Sequence, residues 1–163
     1  MPVLDVHRDE EALTVALTAE FEAPPVRVWQ VFADPRQLER WWGPPDWPAT
    51  FDEHDFRVGG RATYYMTGPD GTRAHGWWQF TAIDEPRSLE FDDGFADQQG
   101  TPVPEPQPTH AVVTFAADGD RTRMTVRSAF TSLDALHQQA RMGMEDGLRL
   151  AAGQIDAILK EQP

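Results

Sequence analysis

Between Gly59 and Asp120 the chain meets a turn signal at intervals that leave strands of about six to ten residues, and from Ser132 a helical period replaces the two-residue one. The signals are Gly59-Gly60, the type I′-compatible pair Asp70-Gly71, Asp84-Glu85-Pro86, Asp93-Gly94 and Asp118-Gly119-Asp120. The segments RATYYMT, HGWWQFTAI, SLEFDD, HAVVTFAA and RTRMTVRSAF around these signals read as strands, and consecutive hairpins make them one antiparallel sheet. Beyond them Ser132 is an N-cap, and Leu136, Ala140, Met144, Gly147/Leu148, Ala151, Ile155 and Leu159 recur on one face. That pattern predicts one helix of about 27 residues, roughly 40 Å long, which must lie across the whole sheet.

The N-terminal part supplies a further strand and two short helices. In Ala12 to Ala23 the residues Leu13, Val15 and Leu17 alternate with Thr14, Ala16 and Thr18, and Pro24-Pro25 ends the run. VRVWQVFAD then spaces Val28, Val31 and Phe32 as a helix does, and Asp34-Pro35 provides N-cap and first turn for RQLERWW, halted by Gly43-Pro44-Pro45. The prolines of Gly100 to Pro108 forbid helix interior and central strand alike, so this stretch is a loop. The expected architecture is α+β: a curved antiparallel sheet of six to seven strands around a long C-terminal helix, as one domain over 1–163 with a core of about 12–160.

Charge and composition remove whole classes of function. Without cysteine there is no disulfide framework or thiolate chemistry, and 27 acidic against 14 basic residues leave a net charge of −13. A field of that sign repels polyphosphates and anionic membranes, so no nucleic-acid partner and no membrane insertion are expected. The N-terminal stretch has acids and no apolar core of a secretion signal, which places the protein in the cytoplasm. Trp29 and Leu38 suit either a dimer contact or a pocket mouth, leaving monomer and homodimer open.

Five of the six tryptophans fall between Trp41 and Trp78. Together with Tyr64, Tyr65 and Phe80 they offer the rigid contact area that a planar or lipidic ligand needs, or else an ordinary core. The registers that keep Arg61 and Gln79 outward turn Ala62, Tyr64, Met66, Trp78 and Phe80 inward. The expected cavity set is Trp41, Trp42, Trp47, Tyr64, Met66, Trp78, Phe80, Phe91, His110, Met144 and Leu148. His7, His54, His75, His110 and His137 are dispersed without zinc spacing, and the acids of Asp52 to Asp55 alternate between strand faces, so no metal is expected. Glu145, His110 and His75 are the candidates for a cavity acid or base. GxSxG, GxxxxGK[ST] and GxGxxG are all missing, and no cofactor is expected.

Six ordered motifs carry a resemblance: APPVRVWQVFADP, RWWGP, VGGRATYYM, PDG, DEPRSLEF and MEDGL. In that order the chain resembles the START/Bet v 1-like (SRPBCC) superfamily, and within it the group related to the activator of heat-shock-protein-90 ATPase. The resemblance implies a helix-grip fold with a deep apolar cavity that binds a hydrophobic small molecule such as a lipid, polyketide or aromatic compound. It also admits a cyclase or aromatase using a cavity acid and base, or a chaperone-partner module. One departure is Leu148, where the group very commonly shows tryptophan; the smaller side chain enlarges the expected cavity, and Gly143, Gly147 and Gly153 fit the same idea.

Overall fold

Eight strands, rather than six or seven, form one antiparallel sheet in the computed structural model, which describes residues 3–161. In chain order the elements are β1 (Val3–Asp9), β2 (Thr14–Phe21), α1 (Pro25–Ala33), α2 (Pro35–Leu38), β3 (Ala49–His54), β4 (Arg61–Thr67), β5 (Arg73–Asp84), β6 (Ser88–Ala96), β7 (Thr109–Asp118) and β8 (Arg121–Ala129), followed by α3 (Leu133–Arg141), α4 (Met144–Ala152) and α5 (Ile155–Leu159). The sheet order is β1-β2-β8-β7-β6-β5-β4-β3, so β3 to β8 form a meander and β2 closes against β8. The two additional strands, β1 and β3, lie at the two edges. Register shifts between Phe51 and Glu53 and between Phe80 and Ala82 bend the sheet as bulges do.

Alternation selects the inner face. On β2 it buries Val15, Leu17, Ala19 and Phe21; on β5 it buries Trp78 and Phe80; on β6, Leu89 and Phe91. Four of the five expected turn signals do turn the chain, although the hairpin at Asp70-Gly71 has positive φ at Gly71 alone and is therefore not type I′. Asp93-Gly94 is the exception: β6 runs straight through it to Ala96, and the turn into β7 is made by the proline-rich loop instead.

The crossover from β2 to β3 carries the two short helices. Asp34 accepts from the Arg36 N–H at 2.9 Å ahead of Pro35, as its sequence position predicts. Beyond Leu38 the chain leaves the α-helix in a tight turn instead of continuing to Trp42. Trp29 and Leu38 are fully packed into the core, so neither supplies a dimer contact or a pocket mouth. Arg27 donates to the Ile158 carbonyl at 2.9 Å and Gln154 to that of Gly43 at 2.7 Å, which clamps the C-terminal segment onto the crossover.

That C-terminal segment is helical from Leu133 to Leu159, but it is not one rod. Gly143 follows the last residues of α3 at φ +85°, the left-handed position that ends many helices and that glycine occupies without strain. A tighter turn at Gly153-Gln154 separates α4 from α5 with no positive φ. None of these helices is long and apolar enough to cross a membrane, among the described residues.

Gly147 is different again: it sits inside α4 with helical φ, and a Cβ there would meet nothing within 4 Å. Gly147→Ala is therefore expected to stabilise the fold by about 0.5–1 kcal/mol, because it removes unfolded-state freedom without a clash. Chemical denaturation would check this, and a destabilised variant would contradict the open space.

Candidate functional site

Because β6 passes through Asp93-Gly94, the alternation that turns Leu89 and Phe91 inward also turns Asp93 inward. Asp93 stands opposite Trp78 on β5 and Thr109 on β7. A carboxylate thus projects from the middle of the sheet toward the helices. Gly94 allows it in turn: the Trp77 indole lies across Gly94 on the neighbouring strand, where a Cβ would come within 2.6 Å of the ring.

Between this part of the sheet and the helices lies a cavity of about 290 Å³, near the lower end of the roughly 300–1,000 Å³ typical of small-molecule sites. Its walls are mainly apolar: Trp42, Tyr64 and Met66 from the crossover and β4, and Met144, Leu148 and Ala151 from α4. Met142, exposed at the helix break, stands at its rim. Besides the Tyr64 hydroxyl, the polar groups that reach it are Asp93, Thr109, Ser128 and Gln139, and among the described residues it contains no lysine, arginine or histidine.

Of the eleven residues expected to line a cavity, Trp42, Tyr64, Met66, Met144 and Leu148 do so. The other six lie elsewhere. Trp41 is sealed in the core, its indole N–H donating to the Val31 carbonyl at 2.8 Å. Trp47 packs over Gly68, at the join between β4 and its hairpin. Trp78, Phe80 and Phe91 face inward but are covered by their neighbours; Trp78 stacks on Phe91 at 4.0 Å and meets the Trp42 ring edge-on at 4.7 Å. His110 is on the opposite face of the sheet, because Thr109 and Ala111 take the inward positions of β7.

The three candidate acids and bases are all outside the cavity. Glu145 pairs with Arg8 of β1. His110 bridges Asp92 at 2.9 Å and Glu90 at 3.0 Å on the outer face, and its hydrogen bond to Asp92 raises its pKa. His75 packs beside the Tyr65 ring, also outward. No cluster of three or more metal-ligating side chains occurs among the described residues.

Asp93, not singled out from the sequence, is the acid inside. Desolvation raises its pKa from 3.8 to about 7, against a hydrogen bond with Tyr64 that pulls it down. Among the described residues it makes no ion pair. Burial also holds the Tyr64 hydroxyl well above its ordinary pKa. The indole N–H groups of Trp42 and Trp78 border that hydroxyl, yet both are buried without an aligned acceptor. Of the two, only Trp42 lines the cavity, and a donor left without an aligned partner costs about 1–3 kcal/mol.

Residues 22–160 match the family model described as Activator of Hsp90 ATPase homolog 1-like protein. The solution structure of a protein from Arthrobacter aurescens is 58% identical and superposes with a TM-score of 0.94, covering 98% of this chain and 93% of that one. Protein Ms6760 from Mycobacterium smegmatis, a crystal structure, is 48% identical with a TM-score of 0.91 and 99% coverage of both chains. A Staphylococcus epidermidis protein at 23% identity, with a TM-score of 0.82 over 98% of this chain and 97% of that one, shares the fold. No curated protein matches.

Proposed function

Since the chain belongs to the Activator of Hsp90 ATPase homolog 1-like family, we propose that its cavity holds a hydrophobic small molecule and that binding, without chemistry, is its function. The cavity of about 290 Å³ between the sheet and α4, walled by Trp42, Tyr64, Met66 and Leu148, carries this reading. Apolar walls with a few polar groups are what such sites require. Two sequence details favour an open cavity over a filled one. Leu148 takes less room than the tryptophan that the family resemblance implies for its position, and Gly147 presents no side chain to the space it borders. The cyclase-type alternative loses the three residues proposed for it, since Glu145, His110 and His75 all face away.

The neutral fluorophore N-phenyl-1-naphthylamine tests this directly. The wild-type protein is expected to bind it with enhanced emission, and Leu148→Trp, which places an indole in the cavity, to weaken binding at least about tenfold. The melting temperature should change little, because the new ring fills existing space. No enhancement with the wild type, or equal binding by Leu148→Trp, would remove the cavity as the site.

A further inference from the structure

The cavity holds one carboxyl group, hydrogen-bonded to Tyr64 but, among the described residues, without a cationic partner. We propose that the bound molecule is a hydrophobic amine, whose ammonium group pairs with Asp93 while its apolar body lies along Trp42, Tyr64 and Leu148. This rests on the reading of the cavity as a ligand site and names the class of ligand it takes.

Four observations point the same way. Asp93 is carried inward by the register of β6, with Trp78 and Thr109 as its cross-strand partners, so its position is built into the sheet rather than left to a mobile loop. Among the described residues the cavity lining includes no lysine, arginine or histidine, and Asp93 makes no ion pair. Trp42 and Tyr64 share the wall with it, and aromatic rings attract a cation in a desolvated site. The net charge of −13 draws cations toward the protein and repels carboxylate ligands. A neutral ligand oxygen would instead have to be recognised by a protonated Asp93. That arrangement gains neither from the aromatic walls nor from the field, so the amine is favoured. Desolvation, which makes a buried carboxylate without a cationic partner costly, is the penalty that such a partner relieves.

A matched trio tests the proposal: 4-phenylbutylamine, 4-phenylbutan-1-ol and 4-phenylbutanoate, alike in their apolar body and different at the head. Each is titrated at about 0.15 M salt, so that surface attraction is screened, while the methyl resonances of Met66, Met144 and Leu148 are followed by NMR. The amine is expected to bind about tenfold more tightly than the alcohol, and the carboxylate more weakly than both. Asp93→Asn should bring the amine and the alcohol to within about threefold of each other, and a cooperative urea unfolding transition shows that the variant is folded. Asp92→Asn removes the same charge from the outer face and should keep the amine preference. An alcohol that binds as tightly as the amine, or a preference that survives Asp93→Asn, overturns the amine assignment and leaves the cavity reading standing. If none of the three moves the cavity methyls, the cavity reading falls and the amine assignment falls with it.

Discussion

Gly76→Val should destabilise the protein by about 3 kcal/mol, lowering the melting temperature by about 6–12 °C, although valine is a far better strand residue than glycine. The sign is set by Tyr64. The two residues face each other across β4 and β5, and the tyrosine ring lies over the glycine so closely that a Cβ there would come within 2.4 Å of its hydroxyl oxygen and 2.5 Å of the ring carbon that bears it. Nor can the ring swing aside. It is buried, stacked on Phe51 at 4.9 Å and held edge-on by Trp42 at 6.3 Å and Trp78 at 6.4 Å. The mechanism can be separated from a general dislike of valine by a double-mutant cycle: in a Tyr64→Ala background the same Gly76→Val change should cost less than about 1 kcal/mol. A full penalty in that background would show that something other than the ring enforces glycine.

Gly76 and Gly94 also show where the sequence stops being readable. The turn signals and the change of period at Ser132 are local, so most of the meander and the helical C-terminus follow from them. The strand registers that keep Arg61 and Gln79 outward do put Tyr64, Trp78 and Phe80 on the inner face. What was hidden depends on neighbours distant in the chain. β1 and β3 are edge strands, and charged residues such as Asp5, Arg8, Asp52 and Glu53, which suit an edge exposed to solvent, erase the apolar alternation that marks an inner strand. Asp93-Gly94 has the composition of a turn, and only the Trp77 ring packed across Gly94 reveals it as mid-strand. Continued alternation through Leu89, Phe91, Asp93 and Phe95 was the available signal. The break at Gly143 was masked in the same way, because the apolar stripe continues on both sides of it. Inward direction alone could not distinguish cavity wall from core either: Trp78, Phe80 and Phe91 point inward, but neighbouring rings cover them.

The largest effect of solution conditions is expected at Asp93. Its pKa is 3.8 in the unfolded reference and about 7 in the folded protein. Between those values the native state holds a proton that the unfolded chain has released, so stability falls as pH rises through this window and stays low above it. The displacement caps the penalty at about 4 kcal/mol, and about 2 kcal/mol is expected because the half-open cavity lets water screen the carboxylate. Asp93→Asn, nearly isosteric and uncharged, should therefore be more stable than the wild type by about 2 kcal/mol at about pH 8, and the difference should vanish only as the pH falls to about 3.8. Other groups shift stability over the same range. His110, raised by Asp92 and Glu90, favours the fold at low pH, and the excess of acids on the chain repels itself at high pH. These contributions are common to both proteins and cancel in the difference. Tyr64, the other titratable group on the cavity wall, is pushed upward by burial and remains neutral throughout. Urea denaturation of the two proteins at several pH values supplies the difference curve. A flat curve would mean that Asp93 is already compensated by the protein itself, leaving an amine little electrostatic reason to bind there; a rise of about 2 kcal/mol centred below pH 7 would show a carboxylate that a cation can relieve.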